Sequence, residues 1–158
     1  MNPYAASLGD RDVLTVLAST PERIRMLVST LGPGGVLRSH APGKWNVQQL
    51  LLHLAQTELA FGMRARMAVT TPDYVIQPFD QDRWMQVEPG TDAAMALTAY
   101  EAMRAMNLAF FRHLSPEQRR IAVTHPERGR IDVWEIAASL AGHELHHLAQ
   151  IEAVAEQP

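Results

Sequence analysis

Residues 133–154, VWEIAASLAGHELHHLAQIEAV, decide how this chain is to be read. Taken in steps of three and four, Val133, Ile136, Leu140, His143, His147, Gln150 and Val154 form one seam, the spacing of the inward stripe of an amphipathic helix. Two of these inward positions are histidines. His143 and His147 are four apart, so their rings leave the same face on consecutive turns. A histidine at a core position must find partners for its ring nitrogens. A single one is commonly hydrogen-bonded within the core, whereas two at this spacing can share a divalent metal ion.

The string His143-Glu144-Leu145-His146-His147 also fits HExxH, in which the glutamate is the general base of a zinc peptidase. Such enzymes need a further ligand downstream. No histidine follows His147, and Glu152 comes without the HxxGxxH-type extension. A third protein ligand therefore has to come from upstream, and His53 is available there. It lies in a helical stretch from Asn46 to Val69 with no internal proline, opened by a capping box of Asn46 and Gln49. Val47, Leu50, Leu51, Leu54 and Phe61 make its apolar side, with His53 at the edge. Glu58 lies roughly 140° round this helix from His53, at about 100° per residue.

Composition bounds the rest. The chain has 158 residues, 47% hydrophobic and 20% charged, which predicts one domain spanning 1–158 with a real core. A net charge of −3 and the absence of any basic run argue against nucleic acid or an anionic membrane as partner. There is no cysteine, so disulfides and thiolate ligands are excluded and a metal would have to use His and carboxylate. No apolar run approaches ~18 residues and no signal peptide is evident, so a soluble cytoplasmic protein is expected.

Two further helical stretches complete the pattern. Asp12 to Leu31 reads as a helix in two parts, restarted at Thr20-Pro21-Glu22 and ended by Gly32-Pro33-Gly34-Gly35. Thr91 to Leu114 reads as another, with an apolar row of Ala96, Ala99, Met103, Met106 and Phe110, stopped by Ser115-Pro116. Asp132 and Glu135 cap the helix that carries His143. No period-two strand pattern stands out. Four such helices bury one another most simply as an all-α four-helix bundle. Its connections, Gly32 to Trp45, Thr70 to Gly90 and Ser115 to Ile131, are long for a compact domain. Trp45 and Trp84 lie in or beside them, where they either plug the bundle end or wall a pocket above a metal.

At this point the residues resemble a known family. Pro42-Gly43-Lys44-Trp45-Asn46-Val47 with Leu52-His53-Leu54-Ala55 and Glu58, then Phe79-Asp80-Gln81-Asp82-Arg83-Trp84, then residues 142–151 (GHELHHLAQI) are similar in order and content to the motifs of the DinB/YfiT-like superfamily. The resemblance runs from about Thr20 to Ala153. It implies a four-helix bundle with a divalent ion on His53, His143 and His147, His146 being a neighbour. Gln56 stands where many relatives place an aspartate. The activities it implies are varied: thiol S-transfer with low-molecular-weight bacterial thiols, thiol-dependent isomerisation, and members with no established reaction.

A three-histidine ion keeps its charge and an open position, which can acidify water for hydrolysis or a thiol for S-transfer. Any thiol would be a cosubstrate. Glu144, Glu58 and Asp80 are candidate carboxylates for orientation or proton transfer, although all three also fit purely structural roles and Glu144, about 100° from His143, also fits surface charge. Arg64, with Arg66, and Trp84 are candidates for holding an anionic substrate or cofactor; both arginines also fit a solvated basic face. His40, His113 and His125 read as surface residues. Zinc is the simplest metal, with nickel, iron or manganese also compatible. Three classes follow: a metal-dependent thiol S-transferase or hydrolase acting on a small molecule, a non-catalytic metal-containing binding or stress protein, and a structural bundle with a hydrogen-bonded histidine cluster. The methionine-rich helix faces suit a homodimer.

Overall fold

Each long helix begins where a side chain takes up a backbone donor that the helix itself leaves without a partner. The computed structural model, which describes residues 2–157, orders the chain as α1 (Ala5–Leu8), α2 (Val13–Gly35), α3 (Val47–Thr70), α4 (Gln81–Val87), α5 (Ala93–His113), α6 (Pro116–Arg119), β1 (Ala122–His125), β2 (Gly129–Asp132) and α7 (Val133–Ala155). Asp12 caps α2 through Thr15 N at 2.8 Å, and Asp92 caps α5 through Met95 N at 2.8 Å. The expected capping boxes are present at Asn46–Gln49 and Asp132–Glu135.

The four long helices form the expected bundle. α3 packs against α5 and α7, and α2 against the same two. Helices α2 and α3 are thus diagonal, as are α5 and α7. A diagonal step has to cross the end of the bundle, which is the reason for two of the three long connections.

Those connections carry structure that the sequence reading did not anticipate. Strands β1 and β2 form an antiparallel hairpin in which Val123 faces Ile131, both buried. Each strand offers the core little more than one apolar side chain, too little for a period-two pattern to emerge. Segment 74–76 lies along β1, with Ile76 N donating to Thr124 O at 2.9 Å and Thr124 N to Tyr74 O at 3.2 Å. Helix α2 also differs from expectation. It runs through Pro21 without a restart, and the Thr20 hydroxyl bonds back to Val16 O at 2.9 Å. The helical path breaks instead at Gly32, whose φ of 62° suits glycine.

The buried face of α5 is a different one from the predicted row. Ala96, Tyr100, Arg104, Asn107 and Phe111 point inward, while Met106 is 59% exposed. An inward arginine and asparagine are tolerable because the helices opposite supply their partners. Two apolar groups fill the bundle, one around Leu17, Phe111, Ile136 and Leu140, the other around Ile24, Leu51, Tyr100 and Ile151. Between their positions fall Thr20 on α2, Gln56, Thr57 and Glu58 on α3, Arg104 and Asn107 on α5, and His143, Glu144 and His147 on α7, all buried. The bundle thus has a polar waist.

Candidate metal centre

Helices α3 and α7 bring three imidazoles together at this waist. His53 Nε2 lies 2.9 Å from His143 Nε2, and His147 Nε2 lies 3.1 Å from the same atom. One nitrogen from each ring falls within 4.8 Å of the others, and all three residues are buried. Burial drives the rings to their neutral form. It pulls His53 down to about 3, with the charge of His147 adding to the effect, pulls His147 down to about 4, and holds His143 well below the ordinary histidine value.

Neutral rings create a hydrogen-bonding problem that a cation resolves. Gln150 Oε1 sits 2.8 Å from His147 Nδ1, and Gln150 Nε2 sits 3.3 Å from His146 Nε2. The assignment that satisfies both has His147 Nδ1–H donating to Gln150, which leaves the Nε2 lone pair of His147 aimed at His143. His143 Nε2 can donate one proton but faces two nitrogens. Meanwhile His53 Nδ1 and His143 Nδ1 are buried without a partner in the protein. Protons on those two Nδ1 atoms turn every Nε2 into an acceptor. Three converging lone pairs repel one another unless a positive ion lies among them, so this donor set fits a divalent metal.

The carboxylates nearest in sequence face elsewhere. Glu58 and Glu144 are 1% and 0% exposed, and both pair with Arg104. Asn107 Nδ2 donates to Glu58 Oε2 at 2.9 Å, and Arg104 Nη1 also reaches Leu17 O at 3.2 Å. Burial, then the charge of Glu58, pushes the Glu144 carboxyl well above its usual range. Surface charge is therefore not what Glu144 provides. Together these residues tie α3 and α7, which carry the histidines, to α5 and α2.

Two cavities flank the histidines. One, of about 190 Å³, is lined by His53 and His143 with Tyr4, Thr57, Arg64 and His125; the other, of about 260 Å³, by His147 with His40, Trp45 and Gln150. Trp45 packs against the His53 ring with centroids 4.9 Å apart, so it walls the centre. Trp84 instead stacks on Phe79 at 4.8 Å and lines neither cavity. Asp80 is also apart from the histidines. It caps α4 through Asp82 N and Arg83 N, each at 3.1 Å. Arg64 does line the first cavity, whereas Arg66 turns to Asn107 Oδ1 at 2.7 Å. Neither arginine is the solvated surface charge that the sequence allowed. His146 and His113 are exposed, while His40 and His125 come to the cavity walls. A larger apolar groove of about 370 Å³, walled by Met63, Met67, Met103 and Met106 between α3 and α5, has no histidine in its lining.

Several of these residues escaped the sequence reading. Arg104 had a legible signal, because Tyr100, Arg104, Asn107 and Phe111 keep helical spacing as well as the methionine row does. Thr57 sits one turn after His53 and was legible as its neighbour. Tyr4 had none. Its ring meets the His143 ring edge-on at 4.9 Å, and a Cβ at Gly142 would fall 2.5 Å from Tyr4 O, so only glycine there admits α1 this close.

Residues 17–151 match the sequence profile of the DinB superfamily. A protein of Oceanobacillus iheyensis, provisionally named a metal-dependent hydrolase, is 28% identical over 138 residues, covering 87% of this chain and 80% of its own. YfiT of Bacillus subtilis, provisionally named in the same way, is 24% identical over 141 residues, 87% of this chain and 79% of its own. The solved structure of Bacillus subtilis YfiT, described as having an unusual four-helix bundle topology, superposes with a TM-score of 0.82 at 21% identity, over 90% of this chain and 83% of that one. That likeness shows the shared fold. With the family profile spanning most of its length, the chain belongs to the DinB superfamily.

Proposed function

We propose that this protein is a metal-dependent enzyme in which His53, His143 and His147 hold one divalent ion, zinc being the simplest choice. The observation that carries the reading is the convergence of three neutral imidazoles on one point, with nitrogens 2.9 and 3.1 Å apart and no proton arrangement that satisfies them all. The names of the relatives point the same way. A divalent ion with three imidazole ligands supplies a Lewis-acid position that activates water or a thiol.

The chain's own residues do the rest. Gln150 fixes the tautomer of His147 through the 2.8 Å contact at Nδ1. Glu58, Glu144 and Arg104 hold α3 and α7 in register, so the ligands meet without adjustment. Trp45 and Tyr4 shield the rings from bulk water on two sides. Arg64 is the cation placed to anchor an anionic group of the substrate, because it lines the same cavity as His53 and His143. Hydrolysis is the preferred reaction. S-transfer requires a low-molecular-weight thiol as cosubstrate, since the chain has no cysteine.

Elemental analysis of untagged protein, beside His53→Ala, tests the reading. About one divalent ion per chain, lost in the variant, is expected. Wild-type protein that takes up no metal even on reconstitution would sink it, and the histidines would then be core packing. Activity assays on ester and amide substrates, with and without added thiol, separate hydrolase from S-transferase.

A further inference from the structure

The cavity beside His53 and His143 is built on one row of α3. His53, Thr57, Phe61 and Arg64 follow at intervals of four, four and three, which places them along a single helix face. Helical side chains lean toward the N-terminus, so Arg64 reaches back along the row. Its guanidinium lies over the Phe61 ring, 5.1 Å from the centroid, and 5.4 Å from that of Phe79.

Two features of this row are unexplained by the protein alone. Thr57 is 1% exposed, and its hydroxyl has no hydrogen-bond partner. A helical threonine ordinarily bonds the carbonyl one turn back, as Thr20, Thr70 and Thr98 do here. Arg64 is 7% exposed, and no carboxylate among the described residues pairs with it. Its Nε and Nη2 both donate to a single carbonyl, Gln77 O, at 3.2 and 2.6 Å, leaving Nη1 without a protein acceptor. Glu127 lines the same cavity and its charge acts on Arg64, but no ion pair forms between them. A buried guanidinium with no directly paired carboxylate is costly, and its planar fork suits one.

We infer that this cavity is a binding site for a small carboxylate with an apolar or aromatic body, its charged end on Arg64 and a polar group on the Thr57 hydroxyl beside His53. Phe61, Phe79 and Pro78 supply the apolar walls. The volume of about 190 Å³ lies below the ~300–1,000 Å³ of sites for drug-sized ligands, so the molecule is small. The inference rests on the metal-enzyme reading for calling this molecule a substrate, but the binding itself needs no metal.

The test is calorimetric titration of benzoate and 4-hydroxybenzoate into the protein, as purified and after metal removal, with benzamide as the neutral control. Benzoate should bind in both states and benzamide roughly tenfold more weakly or worse, the factor that ~1.4 kcal/mol makes. Arg64→Met should weaken benzoate by a similar factor. Thr57→Val should leave benzoate, which has no second polar group, about as it was, and should weaken 4-hydroxybenzoate, whose hydroxyl supplies that group, roughly three- to tenfold, as loss of one net hydrogen bond predicts, with the melting temperature unchanged or raised because the lost hydroxyl had no partner among the described residues. The valine variant keeps the test decisive if Arg64→Met folds poorly. His147→Ala should lose metal yet retain benzoate, since His147 does not line this cavity. Equal binding of benzamide, undiminished benzoate binding in Arg64→Met, or undiminished 4-hydroxybenzoate binding in Thr57→Val overturns the inference. Metal retention without benzoate binding also overturns it and leaves the metal reading standing. Benzoate binding by a protein that takes up no metal supports this site and sinks the metal reading instead.

Discussion

Two clusters of buried polar side chains share the helices α3 and α7, and they are completed to different degrees. Around Arg104, the side chains of Glu58, Asn107 and Thr20 find partners within the protein, and Glu144 lacks one only at Oε1. Beside it on α3 and α7, His53 Nδ1, His143 Nδ1, the Thr57 hydroxyl and both amide atoms of Gln56 have none among the described residues. Each such atom is worth about 1–3 kcal/mol of lost solvation if nothing replaces the water. A satisfied network holds helices in place; an open one persists where something outside the chain completes it. The difference separates frame from site within one polar layer, which neither burial nor residue type does alone.

The largest expected effect would break the frame. Arg104→Met leaves two buried carboxylates facing each other without a cation, and chemical denaturation should register a loss of about 3–5 kcal/mol. Protein that remains folded should still bind a divalent ion, because the hydrogen bonds of Arg104 go to Glu58, Leu17, Thr20 and Glu144 and not to the histidines. A denaturation midpoint equal to wild type would show that the carboxylates are held by something else.

Metal removal acts on the site and should be smaller. An ion that binds only the folded state contributes about 2.7 kcal/mol when its free concentration is a hundred times its dissociation constant. Chelation of wild-type protein should therefore lower the melting temperature, and His53→Ala, His143→Ala and His147→Ala should each abolish the shift. A shift that survives in these variants would place the ion elsewhere.

The contrast between frame and site also explains what the sequence could and could not disclose. The capping residues Asn46 and Asp132 marked helix starts because capping is local. The stripe on residues 133–154 disclosed the bundle and the facing pair His143 and His147, because one face of one helix is a periodic signal. Pairing between helices is not periodic. Arg104 between Glu58 and Glu144 depends on which helices are neighbours and how they are rotated, so spacing alone leaves the carboxylates open between orientation, proton transfer and a structural role, and the row it predicts for α5 includes Met106, which is 59% exposed. The hairpin at 122–132 was invisible for the opposite reason, being too short to carry a period.

A graded effect follows from pH. In metal-free protein, burial lowers His53 to about 3 and His147 to about 4, while an unfolded histidine titrates near 6.5. Between those values the unfolded chain binds more protons than the folded one. The contribution of these histidines to stability should thus fall as pH drops below about 6.5 and be level above it. Each such ring contributes at most about 1.4 kcal/mol per pH unit in that window. His147→Ala should make the decline from about pH 6.5 to 5.5 shallower by up to that amount. Parallel declines in variant and wild type would mean that His147 takes up a proton in the folded state.

The smallest effect distinguishes two neighbours on α7. His146 is three residues from His143 and could share its face by spacing alone, yet the residue is exposed, its Nε2 meets Gln150 Nε2 at 3.3 Å, and its ring lies against those of Tyr4 and His147. His146→Ala should change stability by no more than about 0.5 kcal/mol and leave metal stoichiometry intact. Gln150 connects the two rings, since its other amide atom holds His147 Nδ1 at 2.8 Å. Gln150→Leu should therefore weaken metal affinity by about 10–100-fold, the range found when an outer partner of a ligating histidine is lost, while His146→Ala, which leaves that contact in place, should alter it far less. Titration of both variants with a competing chelator ranks them. If His146→Ala proved the more damaging, His146 would belong among the ligands and the facing pair on α7 would have to be reassigned.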